Sequence, residues 1–237
     1  MLSLFGGKKS LIGSDLLRGG TDNHSHLLYG VDDGVRTLDE SLSILSLLES
    51  HGLRRLWLTP HIMEDFPNTT EDLRARYERL KGEEYQGGIE LLLSAEYMID
   101  NLYEERLEAK DLLLHGEDRV LVETSIMSPP IDLFGTLRKT LSKGYRPILA
   151  HPERYNYMTE ADYRRLREMG VLFQLNLPSV IGYYGPAVQF KALDFLGRGW
   201  YEMTGSDCHR ESMISRHYEA KTLKSKTVAQ LRLLIRR

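Results

Sequence analysis

PILAH, at residues 147–151, is a short apolar run that ends on a histidine. Runs of similar length and composition recur along the chain, and each is typical of a buried β-strand. They are Leu53–Thr59, Ile89–Ala95, Arg119–Glu123, Val171–Asn176 and Trp200–Thr204. The residues before His24 supply a further, weaker strand, so the sequence predicts seven strands in all.

Helical patterns alternate with these runs. A capping box at residues 37–40, TLDE, predicts a helix that ends near Gly52. Further helices are predicted at Thr70–Lys81, Pro130–Ser142, Glu160–Met169, Pro186–Leu196 and Val228–Arg236. Alternation of this kind favours an α/β fold with a mainly parallel sheet. Seven strands favour a closed or nearly closed barrel over the competing doubly wound open sheet.

The composition is that of an ordinary globular protein. The chain has 237 residues, of which 41% are hydrophobic and 27% charged, and a formal net charge of −3. This small negative net charge does not indicate binding to nucleic acid. No apolar run approaches the length of a membrane span. The single cysteine, Cys208, leaves no disulfide pair within the chain. We therefore expect one cytoplasmic domain at residues 21–237, preceded by an untidy N-terminal extension at residues 1–20.

Almost every predicted strand ends in a side chain that can bind a metal ion. The candidates are His24, His26, His61, Glu96, Glu123, His151, Asp207 and His209. Because the carboxyl ends of parallel strands in a barrel meet on one face, we expect these side chains to converge there. Five imidazoles and three carboxylates suit Mn²⁺, Fe or Zn²⁺ better than Mg²⁺ or Ca²⁺. Eight ligands exceed what one ion takes, so we expect two or three divalent ions that share a bridging carboxylate.

Each candidate also has a purely structural interpretation. A His-x-His pair on a strand points both rings to the same face, but many such pairs are surface or core histidines. Glu96 and Glu123 are equally suited to cap a helix or to form a salt bridge in a loop. The DDG of residues 32–34 is good turn chemistry. The repetition of ligand-type residues at one position type favours a metal centre over these alternatives.

As an ordered set, these motifs resemble those of the polymerase and histidinol phosphatase (PHP) superfamily. They are most similar to its bacterial capsule and exopolysaccharide tyrosine-protein phosphatases, the CpsB/YwqE-like group. The motifs are DNHSH at 22–26, TPH at 59–61, AE at 95–96, Glu123, AHPERY at 150–155 and SDCH at 206–209. VDDG at residues 31–34 and GYYG at residues 182–185 point to the same group. The resemblance extends over residues 21–209, which is most of the chain.

The resemblance implies a distorted (β/α)7 TIM-like barrel of the PHP type, with a metal cluster at its carboxyl face. Manganese is the metal that we expect first. It also implies hydrolysis of phosphotyrosine on the tail of a bacterial tyrosine kinase that regulates polysaccharide synthesis. The eight candidates match the metal-ligand positions, Arg154 matches a phosphate-contacting arginine, and Asp33 matches a catalytic acidic residue. A second arginine is absent from its usual offset, so the roles of Arg210 and Arg216 stay open.

Such a site needs no cysteine nucleophile. A Cys-x5-Arg loop is excluded, because Ile214 stands where the arginine would follow Cys208. Metal ions lower the pKa of bound water towards neutrality and so supply hydroxide for attack on phosphorus. Arg154 is expected to bind the phosphoryl oxygens. Asp33 is expected to protonate the phenoxide leaving group or to orient the water.

Other functions use similar chemistry. A small-molecule phosphomonoesterase of the histidinol-phosphatase type needs the same metals and a narrower pocket. Nuclease or proofreading chemistry is disfavoured by the lack of basic excess, and a non-enzymatic module by the near-complete ligand set. We expect neither a nucleic-acid partner nor membrane insertion, and the resemblance is compatible with a homo-oligomer.

Overall fold

The protein folds around two parallel sheets, of three and six strands, that continue into each other in one curled barrel, as seen in a computed structural model that describes residues 7–236. Its strands are β1 (Thr21–Ser25), β2 (Arg55–Leu58), β3 (His61–Ile62), β4 (Glu90–Leu93), β5 (Glu96–Met98), β6 (Arg119–Glu123), β7 (Arg146–Ala150), β8 (Leu172–Asn176) and β9 (Met203–Gly205). Every neighbouring pair among them is parallel. The predicted α/β class with a parallel sheet is therefore confirmed.

The structure has nine strands where seven were predicted, because β3 and β5 lie just beyond the ends of the predicted strands Leu53–Thr59 and Ile89–Ala95. Pro60 separates β2 from β3, and proline has no N–H to donate to a ladder. The pairing nevertheless continues across the break, because Ser94 N–H donates to Leu58 O at 2.9 Å and Glu96 N–H donates to Pro60 O at 3.1 Å. β2 with β3, and β4 with β5, each act as one strand of the barrel.

The last strand returns to the first and closes the sheet. Asp207 N–H donates to His24 O at 2.8 Å, and His26 N–H donates to Cys208 O at 3.0 Å. Taken together with the sequential pairing of the other strands, these bonds give a seven-stranded barrel in chain order. The predicted barrel is confirmed over the doubly wound open sheet.

Helices lie between successive barrel strands, and the last helix follows the final strand. They are α1 (Leu38–Ser50), α2 (Thr70–Arg79), α3 (Asn101–Ala109), α4 (Leu133–Ser142), α5 (Glu160–Glu168), α6 (Leu177–Val180), α7 (Pro186–Gly197) and α8 (Ser225–Ile235). The predicted capping box before α1 is present, with Thr37 and Glu40 satisfying each other's backbone N–H groups. α4 begins later than predicted because the Asp132 side chain accepts from Gly135 N–H and caps it there. α3 and α6 were not predicted.

The described part of the N-terminal segment packs onto the barrel. Leu11 and Leu16 are fully buried in the same core as the helices and strands. Lys9 pairs with Leu223 through two backbone hydrogen bonds of 2.8 and 2.9 Å. The expectation of an untidy terminus is therefore wrong for this part, because its leucines have apolar surface to bury. Residues 1–6 lie outside the described residues, and the domain boundary at residue 20 stays a prediction.

None of the helices within residues 7–236 is long and apolar enough to cross a membrane.

Candidate metal centre

The eight predicted ligands lie together at the carboxyl face of the barrel. His61 begins β3, Glu96 begins β5 and Glu123 ends β6. His151 follows β7, while Asp207 and His209 follow β9. His24 lies within β1 rather than after it, and His26 comes directly after the strand. All of these side chains are buried except that of His209, which is partly exposed.

One subset of four ligands surrounds a single point. Nε2 of His24 lies 3.1 Å from Oε2 of Glu96 and 3.5 Å from Oδ1 of Asp207. Nε2 of His26 lies 3.3 Å from the same Glu96 oxygen and 3.4 Å from the same Asp207 oxygen. The two imidazole nitrogens are themselves 3.1 Å apart. Four ligand atoms thus face one another, with no side chain between them.

Glu96 also joins this subset to a second one. Nδ1 of His61 lies 3.3 Å from Oε2 of Glu96 and 3.3 Å from Oε1 of Glu123. Nε2 of His151 lies 3.1 Å from the other Glu96 oxygen, Oε1, and 3.6 Å from Oε2 of Glu123. Glu96 is therefore placed as a carboxylate that ions on either side can share.

A third subset contains Asp33, which was predicted as a catalytic residue. Its Oδ1 lies 3.5 Å from Nε2 of His61 and 3.4 Å from Nε2 of His209. His26, Asp33, His61 and His209 each offer an atom to one common point. Asp33 is therefore a ninth potential ligand as well as a neighbour of the reacting groups. Its side chain is 56% exposed, so it stands at the mouth of the site.

The orientation of these groups fits divalent metal ions. Nδ1 of His24 contacts Oε1 of Gln174 at 3.0 Å, and Nδ1 of His26 contacts Oδ2 of Asp32 at 2.8 Å. These acceptors favour the tautomer with a proton on Nδ1, which leaves the Nε2 lone pair directed at the cluster. Within residues 7–236, Glu96 Oε2 is buried without a hydrogen-bond donor. A cation would satisfy this oxygen and the imidazole lone pairs together.

The residues that orient the ligands were not predicted from the sequence. Gln174 and Asn176 lie on β8, where the strand-end pattern was searched only for histidines and carboxylates. Nδ2 of Asn176 donates to Oδ2 of Asp207 at 2.9 Å. Asp32 was interpreted as a turn residue, yet it also accepts from His61 N–H at 3.0 Å. Extending the strand-end search to amides would have found the two β8 residues.

The titration behaviour of the cluster also indicates a site for positive charge. Burial alone would raise the pKa of Glu96, but His24, His151 and His26 hold it well below its usual range. Burial raises the pKa of Glu123 well above its usual range, and the charge of Glu96 adds to this. Burial lowers the pKa of His61 to about 4, which keeps this imidazole neutral and able to bind metal. The carboxylates repel one another unless a cation lies between them.

Arg154 lies beside the ligands and is not paired with its neighbour Glu153. One of its guanidinium nitrogens donates to Oδ2 of Asp207 at 2.7 Å, and the guanidinium stacks 4.4 Å from the centre of the Tyr184 ring. Two predicted ligands near it have an uncommon backbone conformation, since His151 has φ +34° and Asp207 has φ +53°. Non-glycine residues with positive φ cluster at functional sites, where the surrounding structure holds them.

A cavity of about 420 Å³ opens onto the cluster. Its lining includes six of the eight predicted ligands, all but His24 and His26, together with Arg154, both tyrosines of the GYYG segment, Arg210 and Met213. Of the two arginines left open by the sequence, Arg210 lines this cavity and Arg216 does not. Cys208 is fully buried away from the cavity, and burial raises the pKa of its thiol. This agrees with the exclusion of a cysteine nucleophile from the sequence.

Comparison with known proteins places this geometry in a family. The family model of capsular polysaccharide synthesis proteins, CpsB/CapC, matches residues 20–227. The tyrosine-protein phosphatase CpsB of Streptococcus agalactiae serotype V is 30% identical over 170 residues, which cover 68% of each chain. CpsB of Streptococcus pneumoniae is 28% identical over 238 residues, covering 90% of this chain and 97% of that one.

A solved structure shares the fold. It comes from work on YwqE of Bacillus subtilis and CpsB of Streptococcus pneumoniae, described as unique metal-dependent tyrosine phosphatases. The TM-score is 0.72 at 21% identity, covering 89% of this chain and 85% of that one. Both the resemblance predicted from the motifs and the predicted fold are confirmed, and the chain belongs to the CpsB/CapC family of capsular polysaccharide synthesis proteins.

Proposed function

We propose that this protein is a metal-dependent tyrosine-protein phosphatase that removes phosphate from the tail of a tyrosine kinase in polysaccharide synthesis. The observation that carries the proposal is an oxygen of buried Glu96 that has no hydrogen-bond donor among residues 7–236 and faces His24, His26 and His61 at 3.1–3.3 Å. This arrangement lies at the floor of an open cavity that also holds Arg154.

The eight predicted ligands would hold two or three divalent ions, and Glu96 would be shared between them. The mixture of imidazole and carboxylate suits Mn²⁺, with Fe or Zn²⁺ as alternatives. When bound, such ions supply a hydroxide nucleophile near neutral pH and neutralise charge on the phosphoryl group. The residues that orient the ligands, Gln174 and Asp32, keep the imidazole lone pairs of His24 and His26 directed inwards.

Arg154 binds and orients the phosphoryl group in this proposal. Its guanidinium is fixed from two sides, by the Asp207 carboxylate and by the Tyr184 ring. A pre-oriented guanidinium binds phosphoryl oxygens in a bidentate way. Phosphoryl transfer depends mainly on such positioning and on stabilisation of charge. Arg210, at the mouth of the cavity, is placed to add a second positive charge.

Asp33 orients the water rather than protonating the leaving group. A hydrogen bond from His209 lowers the pKa of Asp33 to about 2, so it is a carboxylate at neutral pH. A carboxylate can accept a proton from water but cannot donate one. The tyrosine leaving group, whose pKa is about 10 in the free side chain, needs less protonation than an alkoxide.

The kinase tail as partner, the cytoplasmic location and a homo-oligomeric state are inferred from the family resemblance. Histidinol phosphate is the less favoured substrate, since the relatives that match most of this chain are tyrosine phosphatases.

The test is phosphate release from a phosphotyrosyl peptide by Mn²⁺-loaded protein, with histidinol phosphate assayed in parallel. We expect turnover of the peptide that EDTA abolishes. His24→Ala and His26→Ala should lose activity by more than the roughly 10–100-fold typical of residues behind the ligands. His51→Ala, at the end of α1 and outside the cluster, is the matched control and should keep full activity. Turnover of histidinol phosphate alone would overturn the proposed substrate.

A further inference from the structure

The GYYG segment at residues 182–185 forms a turn between α6 and α7. Gly182 has φ +86° and Gly185 has φ +92°, a region that side chains other than glycine rarely adopt. The turn is closed by hydrogen bonds from Gly182 N–H to Ser179 O at 3.2 Å and from Gly185 N–H to Gly182 O at 3.1 Å. The two glycines thus present two adjacent tyrosines to the cavity.

The two tyrosines have different surroundings. The Tyr184 hydroxyl contacts Nδ2 of Asn176 at 3.3 Å, and its ring lies against the Arg154 guanidinium. Tyr184 therefore supports the residue that binds phosphate. Tyr183 is 45% exposed, and it is the one exposed large apolar side chain among residues 7–236 that lines the cavity.

The Tyr183 ring is held in place by edge-to-face packing. Its centre lies 4.9 Å from that of Tyr184 at an interplanar angle of 89°, and 4.7 Å from that of His217 at 80°. Met213, only 7% exposed, lines the same cavity. An exposed aromatic ring that is fixed beside a phosphate site offers apolar surface to whatever group carries the phosphate.

We propose that Tyr183 is a specificity-determining residue that packs against the aromatic ring of an aryl phosphate monoester. This inference rests on the proposed function, for which it supplies the contact that distinguishes phosphotyrosine from alkyl phosphates. Arg154 is 18% exposed and lies deeper than Tyr183, so a phosphoryl group bound to it directs its ring outwards towards the turn. Alkyl phosphates have no ring to pack there.

The experiment compares two phosphonates that cannot be hydrolysed. Benzylphosphonate carries a phenyl ring at the distance of a phosphotyrosine ring, and methylphosphonate carries none. Titration calorimetry of the Mn²⁺-loaded protein gives a dissociation constant for each, and their ratio measures recognition of the ring. The variants are Tyr183→Ala, Tyr183→Leu and Tyr183→Phe. Phe190→Ala is the matched control, because Phe190 is 75% exposed and lies outside the cavity.

We expect the wild-type protein to bind benzylphosphonate about tenfold or more tightly than methylphosphonate, the size expected for an aromatic pair plus its buried area. Tyr183→Ala and Tyr183→Leu should remove most of this preference while leaving methylphosphonate binding unchanged. Tyr183→Phe and Phe190→Ala should keep the preference. The leucine variant retains an apolar side chain, so it distinguishes a requirement for the ring from a requirement for bulk.

Other outcomes overturn the inference. Absence of a preference in the wild-type protein, or its survival in Tyr183→Ala, would show that the ring does not contact Tyr183. An equal loss of affinity for both phosphonates would give Tyr183 a structural role. If the preference behaves as expected but phosphotyrosyl peptide is not hydrolysed, the aromatic contact stands and the proposed activity fails.

Discussion

Two buried glutamates in this barrel have almost the same exposure and opposite surroundings. Glu96 and Glu153 are each 1% exposed. Oε1 of Glu153 accepts from Asn176 N–H at 3.0 Å, and its Oε2 accepts from the Tyr201 hydroxyl at 2.9 Å. Oε2 of Glu96 has no donor among the described residues and faces imidazole nitrogens instead. The exposed fraction therefore does not distinguish the two glutamates, and the groups that face their carboxylates decide their roles.

The difference follows from what each site must stabilise. Burial raises the pKa of Glu153, which favours its neutral form, and its neighbours are fixed hydrogen-bond donors. The neighbours of Glu96 lower its pKa, so it stays an anion that calls for a cation. Glu153 is also linked to the centre from behind, because the Asn176 side chain binds the Asp207 carboxylate. In the proposed function Glu96 binds the metal, and Glu153 supports the structure around it.

Replacing each glutamate separately tests these two roles, and we expect the largest effect from this pair of variants. Glu96→Gln removes the shared negative charge, and we expect it to lose bound metal and to reduce activity by more than about 100-fold, beyond the range of residues behind the ligands. Glu153→Gln keeps an oxygen that accepts from Asn176 N–H. Its amide N–H can donate a hydrogen bond to the Tyr201 hydroxyl. Metal content by mass spectrometry should fall only in the first variant. Equal metal loss in both would remove the distinction.

The residues that orient the imidazoles should show an intermediate effect. Asp32→Asn removes the charge that accepts from His26 Nδ1 at 2.8 Å while preserving shape. We expect metal affinity to fall by about 10–100-fold, as is typical of such partners. Competition with a fluorescent chelator measures this directly. Asp39→Asn, on the exposed first turn of α1, is the matched control and should leave affinity unchanged. An unchanged affinity in Asp32→Asn would assign Asp32 to the turn alone.

The sequence predicted which side chains converge at the carboxyl face because strand ends in a parallel barrel are fixed by topology. His151 after β7 and Asp207 after β9 lie where the apolar runs end, so locating the runs located the ligands. α3 was missed although Asp100 caps it, because Asn101–Ala109 has a weak apolar pattern and a strong charge content. The breaks before His61 and Glu96 depend on pairing between strands, which no single run contains.

The hydrogen bonds between polar side chains on different strands of the barrel could not be predicted from the sequence. Gln174 lies 150 positions from His24 in the chain, and Asn176 lies 31 positions from Asp207. Their roles depend on side-chain geometry that only the closed barrel brings together. Local signals such as the capping box at Thr37 were predicted correctly because both partners lie within one helical turn.

The supporting role of Glu153 predicts a loss of stability without a loss of metal. Glu153→Ala leaves Asn176 N–H and the Tyr201 hydroxyl without their acceptors. We expect the free energy of unfolding to fall by about 1–3 kcal/mol, the cost of an unsatisfied buried polar group. Urea denaturation of the metal-loaded protein measures it. Tyr201→Phe removes the hydroxyl of the same pair, so its effect should not add fully to that of Glu153→Ala. Full additivity would show that the two do not interact.

A third buried polar side chain, that of His115, extends the comparison of Glu96 with Glu153. His115 is 1% exposed and stacks on Trp57 with ring centres 3.9 Å apart, and within residues 7–236 neither of its ring nitrogens has a hydrogen-bond partner. It resembles Glu96 in lacking a partner, but it has no place in the carboxylate clusters that could hold a metal. A missing partner alone therefore does not identify a metal site. Burial lowers the pKa of His115 to about 3, so it is neutral in the folded protein.

The lowered pKa of His115 gives the smallest effect that we expect, which is on the free energy of unfolding. The unfolded chain binds a proton on His115 below its ordinary pKa of about 6.5, whereas the folded chain does not until about 3, so stability falls as the pH falls between these values. We expect His115 to lower the free energy of unfolding by about 1 kcal/mol at pH 5.5 relative to pH 7. His115→Phe keeps the stacked ring and should lose that part of the pH dependence. Urea denaturation of both proteins at both pH values measures it, and their difference cancels the proton release that the metal centre contributes equally to each. An identical pH dependence in the two proteins would mean that His115 is already charged or paired when folded, and burial without a partner would then not explain its state.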